Sequence, residues 1–279
     1  MPYEPALFHL WLAYCAGSLA SPRMIGQKSI FITGAASGIG METALLFARH
    51  GWFVGLFDMN ENGLGSLVEQ IGVDRCCMLR LDVTNPDDFE NAARLFSGRA
   101  HGKLDVLFNC AGVTFNGPFA QVPIPKLQQI IRVNVEGTII GIRACLDLLR
   151  ATQGSRVINM SSASAFYGVP EMATYSASKA AIRALTEALN LELEREGITV
   201  SDIMPSFVDT PMVTAQSYEV GGVRSLGVRL TAKQVAEVIW EAAHGKKVHW
   251  IPQWNIRFFN RLTLFPSLHR WLMKWISGF

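Results

Sequence analysis

Cysteine is scarce in this sequence, and the common metal-binding motifs are missing. Its 279 residues include five cysteines, which form no C-x-x-C pair and leave an odd number, so neither a disulfide framework nor a zinc site is indicated. The six histidines form no H-E-x-x-H motif, and no G-x-S-x-G motif occurs, which disfavours metalloproteases and serine hydrolases. We therefore expect no metal ion and a reducing, cytoplasmic setting.

An excess of charge of one sign is also lacking. The 25 Lys and Arg residues nearly balance the 23 Asp and Glu residues, and the resulting net charge of +2 is too small to indicate a nucleic-acid partner. Hydrophobic residues, in contrast, make up 49% of the chain, and the mean hydropathy is +0.22. This composition predicts extensive burial, and with the chain length it favours one large α/β domain.

Both ends carry apolar segments. The run from Ala6 to Ala20 is too short to span a bilayer and lacks the preceding basic residue of a signal peptide. Residues 1–23 are therefore predicted to be an N-terminal apolar extension or the result of a misplaced start. Residues 252–279 carry basic residues, no acid and an apolar stripe at helical spacing after Pro266. This C-terminal extension either contacts an anionic membrane surface peripherally or, as we favour, packs on the protein or a sister subunit.

Between the extensions, short β-rich runs alternate with helical stretches. Several of the runs are continuously apolar, as expected for strands covered on both faces of a parallel sheet. Repeated βα units predict a doubly wound α/β fold over residues 24–251, with helices on both faces of the sheet. The predicted strands are Ser29–Thr33, Trp52–Phe57, Cys76–Leu81, Leu104–Asn109, Arg156–Met160, Thr199–Met204 and Val248–Ile251, and the predicted helices lie near residues 39–50, 60–70, 86–100, 125–150, 175–196 and 231–243.

Glycines follow the first predicted strand in the stretch TGAASGIG. At a strand-to-helix turn, residues without a Cβ let the backbone approach a pyrophosphate, and the helix N-terminus supplies N–H groups. The alternative is an ordinary tight turn. No Lys-Ser/Thr pair follows, so an NTPase is disfavoured. The predicted phosphate-side residues are Gly34, Ser37, Gly38, Ile39 and Gly40.

An acid ends the second predicted strand. Asp58 is placed to accept hydrogen bonds from the ribose hydroxyls of an adenosine. Its carboxylate would repel a 2′-phosphate, and neither Met59 and Asn60 nor the residues of the glycine turn offer a cation. The pattern predicts NAD rather than NADP.

The stretch ATYSASKAAI places a phenol and an amine four residues apart. On a helix this spacing brings Tyr175 and Lys179 to one face, and the ammonium is expected to lower the pKa of the phenol. By itself the pattern more often marks a partly buried tyrosine beside a solvated lysine.

Taken together, these motifs resemble the short-chain dehydrogenase/reductase family in its compact, single-domain, Rossmann-fold form. The resemblance covers about Ser29 to Ile251 and includes LDV at Asp82, NCAG at Asn109 and the run from INMSS to Tyr-x-x-x-Lys. It implies a mostly parallel seven-stranded sheet and a homodimer or homotetramer built on the helices near 125–150 and 175–196. The cofactor-binding residues it implies are Gly34, Ser37, Gly38, Ile39, Gly40, Asp58, Asp82, Val83, Asn109, Ala111, Gly112, Tyr175, Lys179, Pro205, Val208 and Thr210.

The resemblance also implies four catalytic residues. Tyr175 would be the general acid/base, and Lys179 would bind the nicotinamide ribose and lower the pKa of the phenol. Ser162 would stabilise the developing oxyanion, and Asn134 would hold a water that relays protons to the lysine. Neighbouring Ser161 is expected to be a strand-end cap. The family often has Pro-Gly after the sixth strand, where this chain has Pro205-Ser206, which fits if Ser206 has a negative φ.

The walls of the substrate pocket are mainly Phe, Met and Val. The resemblance implies that the pocket residues are Thr114, Phe115, Ser162, Phe166, Tyr167 and Phe207. The segment from Phe207 to about Leu230 is predicted to be a mobile lid. We expect an NAD-dependent oxidoreductase acting on an apolar secondary alcohol or ketone. A non-catalytic dinucleotide-binding sensor or scaffold, and an enzyme docked to a lipid surface by its ends, are the alternatives.

Overall fold

A computed structural model describes residues 26–215, 218, 220–221 and 230–253. Seven parallel strands form the central sheet in the order β3-β2-β1-β4-β5-β6-β9, and β7 pairs with β8 in a separate two-stranded sheet. The strands are β1 (Ser29–Thr33), β2 (Phe53–Asp58), β3 (Cys76–Arg80), β4 (Val106–Asn109), β5 (Arg156–Met160), β6 (Thr199–Ile203), β7 (Val208–Asp209), β8 (Leu230–Thr231) and β9 (His249–Trp250).

Helices connect the successive strands of the central sheet. One predicted helix, near 125–150, is divided in the structure by a π-helical turn at Arg132–Glu136. The helices are α1 (Gly38–Arg49), α2 (Glu61–Ile71), α3 (Pro86–Arg99), α4 (Ile124–Ile131), α5 (Gly137–Arg150), α6 (Ala173–Glu194), α7 (Pro211–Thr214) and α8 (Ala232–Ala242), with short 3-10 turns at Val73–Arg75 and Ala163–Ala165.

The core has two layers because alternate residues of each strand point to opposite faces of the sheet. On β1, Ile30 and Ile32 pack with α1, α2 and α8, whereas Phe31 packs with α3, α5 and α6. All five residues of β1 are buried. The continuously apolar strands are therefore explained by helices covering both faces, and the predicted doubly wound α/β fold is confirmed.

The strand order reverses between β1 and β4. At this point Thr33 pairs with Asn109, and the Thr33 hydroxyl accepts hydrogen bonds from the backbone N–H groups of Cys110 and Ala111, both at 3.1 Å. The crevice at such a reversal of strand order is where open α/β sheets bind ligands.

The predicted terminal extensions lie almost entirely outside the described residues, because residues 1–25 and 254–279 are not among them. Their predicted roles stay predictions. No helix in the described part of the chain is both long and apolar enough to cross a membrane.

Candidate active site

A cleft of about 740 Å³ opens at the carboxyl ends of the central strands. One end is lined by the glycine turn after β1 and by Asp58 at the end of β2. The other end is lined by Ser162, Tyr175 and residues of the Pro205–Val208 turn after β6. The predicted cofactor-side and catalytic regions therefore belong to one continuous cleft.

The glycine turn is shaped by two close approaches of backbone. Gly34 has φ +70°, and a Cβ there would lie 2.9 Å from the backbone of Ala111. A Cβ on Gly40 would lie 2.1 Å from the carbonyl oxygen of Gly34. Ser37 precedes α1 in an extended conformation and makes no side-chain cap, so its side chain leaves the first N–H groups of α1 available to an anion.

Asp58 joins the glycine turn to the end of β2. Its carboxylate accepts hydrogen bonds from the backbone N–H groups of Ala36 at 3.0 Å and Asn60 at 2.9 Å. Asp82 lines the same part of the cleft and accepts from the backbone N–H and hydroxyl of Thr84 at 2.9 and 2.8 Å. Both acids are thus held at fixed positions on the cofactor side.

Tyr175 and Ser162 both line the cleft. Burial raises the pKa of the phenol to about 12, and the interaction with the Ser162 side chain opposes this shift. The prediction that the tyrosine pKa is lowered is therefore wrong, because loss of solvation outweighs the neighbouring groups.

Lys179 lies one helical turn after Tyr175 and is 3% exposed. Its ammonium nitrogen donates to the carbonyl oxygen of Met160 at 2.8 Å and lies 5.5 Å from the centre of the Tyr175 ring. Burial lowers the pKa of Lys179 from 10.5 to about 8. The alternative of a solvated lysine is thereby excluded.

Asn134 lies in the π-helical turn and is 1% exposed. Its side-chain oxygen accepts from the N–H of Val113 at 2.8 Å, while its amide donates to the Val113 carbonyl and to Ser178, both at 3.1 Å. Ser178 donates in turn to the carbonyl of Tyr175 at 2.7 Å. The asparagine therefore fixes the loop after β4 against α6.

The serines after β5 have different environments. Ser162 caps the following 3-10 turn by accepting from the N–H of Ser164 at 3.2 Å, so the capping role expected for Ser161 falls on its neighbour. Ser161 donates to the carbonyl of Lys179 at 3.1 Å. Ser206 has a negative φ, since His101 and Glu171 are the only non-glycine residues in the described ranges with positive φ.

Three of the predicted cofactor-binding and pocket residues do not line the cleft. Asn109 faces away from the cleft and donates to Asn159 at 2.9 Å, in a buried row that crosses the sheet. Phe115 and Phe166 are not among the cleft-lining residues and instead lie beside Lys126 and Arg183. The roles predicted for these three residues stay predictions, and the structure gives them no place in the lining of the cleft. The remaining predicted cofactor and pocket residues, including Ala111, Gly112, Thr114, Tyr167, Val83, Val208 and Thr210, line the cleft.

Other lining residues were not predicted. Burial raises the pKa of the Cys110 thiol to about 12, so this cysteine is a neutral, unreactive group at pH 7. The four-residue spacing of Gln128 and Arg132 could have indicated a shared helical face, but no sequence motif indicates that this face lines the cleft. The unpredicted lining residues include Cys110, Gln128, Gln129, Arg132, Met160, Ser164, Met172 and Met212.

The geometry fits a dinucleotide beside an acid/base group. Because Gly34 and Gly40 have no Cβ, the backbone of the turn is open to a diphosphate, and α1 directs the N–H groups of its N-terminus to the same place. Asp58 can accept hydrogen bonds from the hydroxyls of a ribose. No cluster of metal ligands occurs within the described ranges of the chain.

Known proteins place this architecture in a family. The short chain dehydrogenase profile matches residues 28–220. An uncharacterized oxidoreductase of Staphylococcus aureus strain MW2 is 28% identical over 221 residues, covering 79% of this chain and 94% of the relative. The chain is therefore an oxidoreductase of the short chain dehydrogenase/reductase family.

Solved structures support the same assignment. A short chain dehydrogenase/reductase from Burkholderia phymatum, in complex with NAD, is 27% identical with a TM-score of 0.77, covering 85% of this chain and 92% of that chain. A 3-ketoacyl-(acyl-carrier-protein) reductase from Brucella melitensis, complexed with NADH, is 26% identical with a TM-score of 0.73, covering 80% and 96%.

Proposed function

We propose that this protein interconverts a secondary alcohol and a ketone by NAD(H)-dependent hydride transfer. The observation that carries the proposal is the convergence of Ser162, Tyr175 and Lys179 in a cleft whose other end holds the glycine turn. A bound nicotinamide would supply the hydride chemistry.

In this proposal Tyr175 donates its proton to the carbonyl oxygen of a ketone and takes it back from an alcohol in the reverse direction. Ser162, which lines the cleft together with Tyr175, orients the same oxygen. Lys179 binds a ribose hydroxyl and, as an ammonium ion, offsets the burial that raises the pKa of Tyr175. Asn134 holds the loop and helix that carry these groups, and we assign it the proton-relay water.

We assign NAD rather than NADP as the cofactor. Asp58 lines the cleft with a carboxylate that accepts ribose hydroxyls and repels a 2′-phosphate. The complexes of the Burkholderia and Brucella proteins with NAD and NADH support this assignment.

The substrate end of the cleft is apolar. Val169, Met172, Phe207 and Met212 line it, together with Tyr167. Surfaces of this kind favour ligands that bury hydrocarbon, so we assign a hydrophobic secondary alcohol or ketone, of the lipid, steroid or retinoid type.

The test is a screen of alcohols with NAD and NADP, and of ketones with NADH and NADPH, followed by absorbance of the reduced cofactor. We expect turnover of hydrophobic secondary alcohols with NAD, and none by Tyr175→Phe. Turnover of small polyols but not of hydrophobic alcohols would reject the substrate class, and a preference for NADP would reject the cofactor assignment.

A non-catalytic dinucleotide-binding protein is the second candidate. It is favoured by the pKa of Tyr175, which burial raises to about 12 and so away from a range useful for catalysis at pH 7. It predicts NAD binding without turnover of any alcohol or ketone, and a biological role that survives Tyr175→Phe.

We also propose a homo-oligomer. Ile139 on α5 is 43% exposed and Leu191 on α6 is 71% exposed, and large apolar side chains on these helices favour contact with a second copy.

A further inference from the structure

Glu171 has an unusual backbone conformation just before α6. Its φ is +67°, in the left-handed region that side chains with a Cβ rarely adopt. Glutamate has no special tolerance for this region, unlike glycine or asparagine. Strain of this kind persists where surrounding contacts require it, and it is frequent at ligand-binding sites.

Glu171 connects three segments of the chain. Its side-chain carboxylate accepts one hydrogen bond from the hydroxyl of Tyr218 and another from the backbone N–H of Gly221 at 3.0 Å. Its backbone carbonyl accepts from the N–H of Gly117, in the loop between β4 and α4, at 2.9 Å. The segments joined are thus the β4–α4 loop, the approach to α6 and the described residues after α7.

These contacts hold a small apolar cluster behind the substrate wall. Val220 is fully buried and packs with Val169 and Met172, and Tyr218 packs against the same cluster. Val169 and Met172 are themselves lining residues of the cleft. Tyr167, Phe207 and Tyr175 also pack against the cluster. The residues that Glu171 fixes are therefore a second layer supporting the wall.

We propose that Glu171 is a positioning residue that determines substrate specificity. Its carboxylate fixes Tyr218 and Gly221 so that Val220 supports the apolar wall formed by Val169 and Met172. The inference rests on the proposed function, since it concerns the substrate end of the same cleft. It assigns Glu171 no contact with substrate or cofactor.

Replacement by glycine separates this role from that of a turn residue. Glycine adopts φ +67° without strain, so Glu171→Gly keeps the backbone and removes both carboxylate contacts. A residue that served only the turn would gain stability from this change, and the kinetics would not alter.

The kinetic experiment measures KM and kcat for a series of secondary alcohols of increasing chain length with NAD. Each methylene buried against the wall is worth roughly a fourfold change in affinity. In Glu171→Gly we expect KM for the longest alcohols to rise about tenfold, the cost of two or so lost methylene contacts. KM for the shortest alcohols, KM for NAD and kcat should stay near wild type. A uniform change across the series, or none, would overturn the proposal.

Two further variants and a control sharpen the comparison. Tyr218→Phe removes one of the two carboxylate contacts, and Glu171→Gln keeps an acceptor oxygen, so both should give intermediate KM values for long alcohols. His101→Gly likewise puts glycine at a residue with positive φ, here +54°, but His101 does not line the cleft. The KM values for the whole series of alcohols should therefore equal those of wild type. A shift in His101→Gly equal to that in Glu171→Gly would contradict the assignment.

Hydrogen exchange tests the contact without any turnover. The amide of Gly221 should exchange faster in Glu171→Gly than in wild type, because the acceptor of its N–H is removed. If wild type oxidises no alcohol, the proposed function fails, and exchange at Gly221 alone decides whether Glu171 positions this segment. Unchanged exchange would reject the positioning role.

Discussion

Two ionisable residues in the cleft, Tyr175 and Lys179, are both pushed by burial towards their neutral forms. Burial raises the pKa of the phenol to about 12 and lowers the pKa of the amine to about 8. At pH 7 the amine is still mainly protonated, and the native state therefore carries a desolvated ammonium ion next to a phenol. This arrangement costs stability, because burial disfavours the charged form of the lysine.

Lys179 makes a pH dependence of stability testable. Between pH 8 and 10.5 the folded lysine has lost its proton while the unfolded one keeps it, so stability rises with pH through this window and is lost as pH falls towards 8. From pH 7 to 9.5 the free energy of unfolding of wild type should rise by about 2 kcal/mol relative to Lys179→Met. Urea unfolding at a series of pH values measures this difference.

The control is Lys233→Met, which removes an exposed lysine on α8. Its free energy of unfolding should follow that of wild type at every pH. A constant difference between wild type and Lys179→Met would show that burial does not perturb the pKa of Lys179.

Among the elements, the strands follow most directly from the sequence. The predictions for β1 and β5 match the observed bounds, because continuous apolar residues between polar turns leave little choice of position. The break between α4 and α5 was not predicted. Asn134 lies in this break, and its side chain bonds Val113, which is twenty-one residues away, so no local pattern carries that contact.

The site was predictable where a motif fixes it locally. The turn at Gly34 and the Tyr175-Lys179 spacing are local features, and both lie in the cleft. The direction of the Asn109 side chain depends on a partner in the next strand, Asn159. The contact between Ser206 and Gln253, at 3.0 Å, likewise joins residues far apart in sequence.

A substitution at Gly40, near the start of α1, tests whether NAD binding needs the close backbone approach in the glycine turn. In Gly40→Ala the new Cβ would lie 2.1 Å from the carbonyl oxygen of Gly34, which forces the backbone apart. We expect the free energy of unfolding to fall by roughly 1–3 kcal/mol and the Kd for NAD to increase. Calorimetry and denaturant unfolding measure the two effects.

Gly98→Ala is the matched control, because Gly98 lies in α3 with nothing within 4 Å of its added Cβ. Alanine should stabilise this helix by up to about 1 kcal/mol and leave NAD binding unchanged. Equal NAD affinity in wild type and Gly40→Ala would contradict the assignment of this turn to the diphosphate.

At the scale of the whole molecule, the proposed homo-oligomer gives a testable prediction. Each face of the sheet is covered within one chain, so the core needs no partner. The exposed Leu191 on α6 is instead available at the surface. Leu191→Glu should lower the molar mass seen in sedimentation from that of an oligomer towards the monomer, since a buried unpaired carboxylate opposes association.

Phe119→Glu provides the comparison, because Phe119 is 64% exposed but lies outside α5 and α6. Its molar mass should equal that of wild type. An unchanged oligomer in Leu191→Glu would exclude this helix face from the interface.

The proposed mechanism requires that the buried phenol of Tyr175 transfers a proton while a dinucleotide is bound in the same cleft. It is tested most directly by kcat for the best alcohol in Tyr175→Phe, with the Kd for NAD measured on the same preparation. We predict that kcat falls by about a hundredfold or more while the Kd is unchanged, because only the proton-transfer group is removed. A variant that binds NAD and keeps the wild-type kcat would contradict the account.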